Sequence, residues 1–146
     1  MQFSSKLAVS THILLAIIEF DGKEKTTSEF LAGSVNANPV IVRNMLLKLQ
    51  SAGFIRTKAG VGGSEMAMNP EDISLKDILL AVEKDTELFK FHENPNPNCP
   101  VGRNVHALLD DKLADAKDAM LEDLSKTTLA DLAKDMKILI KEQEAG

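Results

Sequence analysis

Cysteine is nearly absent: the 146 residues contain one. A single thiol excludes a disulfide within the chain, and with it any metal or cluster site built from several thiolates of one copy. Long apolar runs are missing too, since none approaches the roughly 18 to 20 residues that span a bilayer. The opening Met1-Gln2-Phe3-Ser4-Ser5-Lys6 lacks the basic region and small-residue cleavage site of a signal peptide, so a soluble cytoplasmic protein is expected. The three histidines lie in separate segments without metal-ligand spacing, and neither metal nor cofactor is expected. Proline is scarce and concentrated: three of five fall in Asn94-Pro95-Asn96-Pro97-Asn98-Cys99-Pro100, which should be extended because a residue preceding proline is pushed out of the helical region.

What is present suits one ordinary domain, or a small domain with a helical appendage, and the 44% of hydrophobic residues can fill a real core. The net charge of −5 hides an asymmetry. Residues 1–70 carry seven bases and five acids, whereas residues 71–146 carry ten bases and seventeen acids. The stretch 36–63 holds four bases and no acid, and the local field of one face matters more for binding than the total.

Periodicity and capping signals give an order of helix, helix, helix, hairpin, helix, long helix, helix. Ser4 or Ser5 can cap a first helix to about Phe20, with Leu7, Ile13, Leu14, Ile17 and Ile18 at helical spacings and Gly22 just beyond. Thr26 with Glu29 reads as a capping box opening a short helix that Gly33 could end. Asn38-Pro39 pairs a good N-cap with a good first-turn residue for a third helix to about Ala52. There Val42, Met45, Leu46 and Leu49 form the inward stripe, and Val40, Arg43, Asn44, Leu47 and Lys48 point outward. Gly53 stops it by tolerating positive φ. Phe54-Ile55-Arg56-Thr57 reads as a strand, Gly60-Val61-Gly62-Gly63 as a tight turn and Glu65-Met66-Ala67-Met68 as the return. Ser74 caps a fourth helix bearing Leu75, Ile78, Leu79 and Val82. Beyond the proline segment, Val105, Leu109, Leu113, Ala116, Met120 and Leu124 recur every three or four residues on a long helix that needs a covering surface. Thr128 with Asp131 caps a last helix carrying Leu132, Met136 and Leu139.

Two helices joined by a short turn, with a hairpin directly after the second, make the winged form of a helix-turn-helix. A major groove roughly 12 Å wide admits one helix, whose exposed N-terminal residues reach base edges. Asn38, Val40, Arg43 and Asn44 are the candidate base readers, because Arg pairs bidentately with guanine and Asn with adenine. Lys48, Arg56 and Lys58 are candidate phosphate or groove contacts, helped by the backbone of Gly60, Gly62 and Gly63. The plainer reading of 26–52 is a helical hairpin with a solvated face. The glycine turn lacks the Lys-Ser or Lys-Thr of a phosphate-binding P-loop and fits a wing better.

The run Val42-Arg43-Asn44-Met45-Leu46-Leu47-Lys48-Leu49-Gln50-Ser51-Ala52-Gly53-Phe54-Ile55, the turn Gly60-Val61-Gly62-Gly63 and the segment Ile73-Ser74-Leu75-Lys76-Asp77-Ile78-Leu79-Leu80-Ala81-Val82-Glu83 together resemble the Rrf2 family of bacterial winged helix-turn-helix regulators. The tail Asn96-Pro97-Asn98-Cys99-Pro100-Val101-Gly102 with Thr128-Leu129-Ala130-Asp131-Leu132 resembles a cluster-free branch. The resemblance implies a homodimeric transcription factor, usually a repressor, on a near-palindromic operator. The long helix would cross to the partner through Val105, Leu109, Leu113, Ala116, Met120 and Leu124. Cluster-bearing members place three cysteines before that helix; only Cys99 stands here. Where relatives often carry an Arg just before the first wing glycine and an aromatic just after the glycines, this chain has Ala59 and Glu65, with Ser64 in place of a further glycine. An acid common in the recognition helix is Arg43 here, so base preference should differ.

The expected architecture is thus mainly α with a small β-hairpin. Residues 1–84 form a winged helix-turn-helix DNA-binding domain, 85–100 a linker and 101–146 a helical dimerisation region, with double-stranded DNA and a second copy as partners and an unknown effector. Cys99, near His92 and His106, is either a redox-sensing thiol or a small packing residue. A Cys–His hydrolase built on Cys99 and His106 lacks an oxyanion hole and a third orienting group, and no enzyme is expected. The remaining alternative is a protein-interaction module whose DNA-binding surface has decayed.

Overall fold

A computed structural model describes residues 5–84 and 93–145. The elements run α1 (Lys6–Glu19), α2 (Ser28–Val35), α3 (Pro39–Ser51), β1 (Ile55–Thr57), β2 (Ser64–Met66), a 3-10 turn (Pro70–Asp72), α4 (Leu75–Val82), α5 (Pro100–Leu124) and α6 (Leu129–Ala145). The mainly helical class with one small antiparallel hairpin is therefore as expected.

The core is built around α1, whose Ile13, Leu14 and Ile17 are buried against Leu31 of α2, Val42 and Leu49 of α3 and Ile78 and Val82 of α4. Removing such a side chain to Ala costs about 2–5 kcal/mol, through lost transfer energy and the cavity left behind. The expected inward stripe of α3 holds: Val42, Met45 and Leu49 are buried, and Leu46 packs against them. Ser10, buried on α1, places its hydroxyl 3.3 Å from the Met45 sulfur and so satisfies a polar atom inside the core.

Two details of α2 differ from expectation. Its N-cap is Thr27, whose hydroxyl accepts from the Phe30 amide at 3.2 Å, and Thr26 is turned inward instead. Nor does Gly33 end the helix, which continues to Val35 and closes on Asn36 in the left-handed region at φ 61°. Glycine in a helix interior costs only about 1 kcal/mol relative to Ala, and Asn tolerates the left-handed cap that stops the helix.

At α3 the Asn38 side chain accepts from the Val40 amide at 2.8 Å, with Pro39 in the first turn. Gly53 leaves the helix at φ 84°, and the Phe54 amide reaches back to the Leu49 carbonyl. The hairpin pairs Ile55 with Met66, Arg56 with Glu65 and Thr57 with Ser64. Helix α4 opens with a capping box: Ser74 accepts from the Asp77 amide, and the Asp77 carboxylate accepts from the Ser74 amide.

The tail of the chain divides. Helix α5 has 25 residues, about 37 Å at 1.5 Å per residue, and none of them is buried. Helix α6 returns to the first domain: the Leu75 amide donates to Thr127, the Leu129 amide donates to Ile73 at 2.7 Å, and the Leu129 side chain joins the core fully buried. The boundary drawn at residue 101 thus leaves Leu129 inside the core of residues 5–84. Thr128 and Asp131 form the expected capping box, with distances of 2.9 and 3.1 Å.

Candidate nucleic-acid interface

The exposed side of α3 carries Val40, Ile41, Arg43, Asn44 and Leu47. Val40 and Ile41 are each about half exposed, which is unusual for β-branched apolar residues and places hydrocarbon beside Arg43 at the helix start. Such groups suit contact with a thymine methyl. Ile41, which the sequence pattern assigns to neither face of the helix, thus adds an apolar group beside the expected readers. Asn38 has its carboxamide oxygen engaged in the cap, so its part in base reading would fall to the NH₂ group.

Lys48 lies differently from its companions. It is half-buried, and its ammonium donates to the Val82 carbonyl at 3.3 Å, which ties the end of α3 to the end of α4. Arg56 is exposed on β1, and Lys58 is half-buried in the turn that follows. Gly60, Gly62 and Gly63 all adopt positive φ, at 75°, 84° and 82°. At Gly63 a side chain is excluded twice over, since a Cβ would also sit 2.9 Å from the Thr26 backbone nitrogen.

Thr26 is the residue that sequence reasoning misplaced. Its hydroxyl donates to the Ser64 carbonyl at 2.7 Å, and the Ser64 amide returns to the Thr26 carbonyl and hydroxyl, each at 3.2 Å. Thr26 is 3% exposed, so these bonds are shielded from water and hinge the wing to the turn before α2. The alignment of two threonines ahead of Glu29 hid which one caps and which one anchors.

Of the expected dimer stripe, Leu109 and Ala116 are exposed, and Val105, Leu113, Met120 and Leu124 are half-buried. Met120 and Leu124 help line an apolar groove of about 790 Å³, bounded also by Leu7 and Leu15 of α1, Leu79 of α4 and Met136 of α6. Cys99 is the N-cap of α5, half-buried, and the Gly102 and Val101 amides that face it hold its thiol below the usual range. His106 is paired with Asp110 at 3.2 Å on the same helix, and His92 lies outside the described residues.

A helical core drawn from α1 to α4, a helix with an exposed start and a glycine-tipped hairpin anchored beside it define a winged helix-turn-helix protein. Comparison with known proteins agrees. Residues 3–135 match the Rrf2 family model, described as iron-dependent transcriptional regulators. YwnA of Bacillus subtilis (strain 168), named as an HTH-type transcriptional regulator, is 45% identical over 129 residues, covering 88% of this chain and 95% of that one. A crystal structure described as that of a DNA-binding protein is 39% identical with a TM-score of 0.71, covering 88% of this chain and 98% of that chain. CymR, the global cysteine regulator of B. subtilis, shares the fold at 23% identity and a TM-score of 0.67, over 92% and 97% of the two chains. The chain belongs to the Rrf2 family of transcriptional regulators, and the family and YwnA are described as regulators rather than enzymes.

The iron dependence in the family's description finds no matching donor set here. Cys99 is the one thiol in the sequence, and among the described residues no three His, Cys, Asp or Glu side chains converge. A cluster held by three cysteines of one chain does not fit. Among the described residues no helix is long and apolar enough to cross a membrane.

Proposed function

We propose that this regulator works as a homodimer that lays α3 of each copy in successive major grooves of a near-palindromic operator and represses transcription. The observation that carries the reading is the exposed start of α3, with Val40, Arg43 and Asn44 beside an anchored wing that bears Arg56 and Lys58. Arg43 and Asn44 would read base edges, while Arg56, Lys58 and the wing glycines would meet the sugar–phosphate backbone. Lys48, held on Val82, would contribute mainly its charge. The half-sites would lie about one helical turn, roughly 34 Å, or a multiple of it apart.

Dimerisation is supported by two uncovered apolar surfaces on one chain. Helix α5 exposes Val101 at 70% and Leu108 at 66%, and the groove between α1, α4 and α6 is open. A two-fold pair of copies would let each α5 cover the other and reach the other's groove, with Leu109 and Leu113 central. On this reading residues 1–84 engage DNA, 85–100 link (85–92 lie outside the described residues) and 101–146 dimerise, chiefly through α5, which begins one residue earlier at Pro100, while α6 packs back on the DNA-binding core.

Selection of bound fragments from random duplex DNA, followed by gel shift, tests the proposal. A regulator neutralising six to ten phosphates should lose about 10³–10⁵ in affinity between 50 and 200 mM salt while keeping its sequence preference. Absence of any preferred fragment at low salt would overturn it and favour a protein-interaction module.

A further inference from the structure

The stretch 36–63 holds four bases and no acid, yet the fold supplies acids from elsewhere to three of the four. Glu29, in the first turn of α2, reaches Arg43 at 3.7 Å. Glu65, opposite Arg56 in the hairpin register, pairs with it at 3.2 Å. Asp21, in the turn after α1, meets the Lys58 ammonium at 3.3 Å. These acids come from three different segments, and each lies beside a different candidate DNA contact.

Resting on the DNA-binding reading above, we propose that Asp21, Glu29 and Glu65 form a carboxylate gate that holds down affinity for duplex DNA of arbitrary sequence. At least one member of each pair is well exposed to water, so the pairs are held weakly and exchange readily. A phosphate that approaches Arg43, Arg56 or Lys58 must displace a carboxylate already there and then remain close to its negative charge. Generic binding is almost wholly electrostatic and carries this repulsion uncompensated. At a correct site, base contacts of the released Arg43 offset it. The gate thereby sets a floor that only sites offering base contacts exceed.

The test compares the full-length wild type with the triple variant Asp21→Asn, Glu29→Gln, Glu65→Gln on a fluorescently labelled 24-base-pair duplex of arbitrary sequence. A control triple, Asp135→Asn, Glu142→Gln, Glu144→Gln, removes the same charge from exposed positions of α6. One carboxylate within about 7 Å of a phosphate changes affinity by about two- to threefold in water, so the gate variant should bind about tenfold more tightly at 50 mM salt. That advantage should shrink as salt rises, and the control should gain less than about twofold. Equal gains in both triples would reduce the effect to net charge and overturn the gate, as would no gain in either. If wild type bound no duplex at low salt and the gate variant did not either, the DNA-binding reading itself would fall and take the gate with it. Because all six substitutions are exposed or half-exposed and keep side-chain shape, circular dichroism should show the same fold throughout.

Discussion

Arg43 stands half exposed on α3 with its guanidinium loosely held by Glu29, free to turn toward a base edge or a phosphate. A bidentate guanine contact is worth about 1–3 kcal/mol of discrimination. Arg43→Ala is therefore expected to relax preference at one position per half-site, read by repeating fragment selection with the variant. A uniform loss over all fragments would show a phosphate contact instead. Asp131 offers a test of stability at the same scale. The Thr128 amide and hydroxyl, with Lys134 nearby, hold its carboxyl below the usual carboxylate range. A carboxylate depressed by folding stabilises the native state above the pKa of the unfolded chain and loses that contribution as pH falls through the folded value. The Tm gap between wild type and Asp131→Asn should thus be full at pH 6, narrow below about pH 4 and close at stronger acidity. Cys99, lowered by the α5 amides, should be alkylated by iodoacetamide at a lower pH in the native chain than in denaturant.

The elements that present the site are joined by few bonds, and the wing is the clearest case. A two-stranded hairpin is marginal by itself, so its direction depends on what it leans on. Here that is Thr26, whose hydroxyl and backbone hold Ser64, while Gly63 closes against it. Thr26→Val keeps the shape but strands the Ser64 carbonyl, at a cost of about 1–2 kcal/mol. The expected result is a modest fall in Tm and a larger relative loss of affinity for selected DNA, because the wing swings free while the α1–α4 core stays intact. An unchanged affinity in gel shift would show that the wing takes no part. The cap of α2 makes the complementary point: Thr26 has the capping-box spacing to Glu29, yet its hydroxyl is taken by the wing, and Thr27, one residue too near Glu29 for a capping box, caps the helix through the Phe30 amide instead.

For the whole molecule the decisive feature is α5, a helix with no buried residue lying over a chain whose own groove is open. Leu113→Asp is expected to give a monomer by sedimentation velocity, with operator affinity lowered by orders of magnitude because two half-sites no longer bind together. A dimer of unchanged stability would place the interface elsewhere. In a dimer joined through α5, the acidic outward face of 110–144 would point away from the duplex, since its carboxylates repel phosphate.

Helical period, the Asn38-Pro39 start, the wing glycines and the Ser74 and Thr128 caps are local signals, so the sequence by itself determined the element order, the inward face of α3 and the length of α5. Local rules reach only three or four residues along a chain. Which threonine caps and which anchors the wing, that α6 comes back to bury Leu129, and that Asp21, Glu29 and Glu65 arrive beside the bases of an acid-free stretch were decided only by tertiary structure. Those outcomes depend on packing between segments far apart in the chain, such as those of Ile73 and Leu129, whose pairing the sequence pattern does not encode.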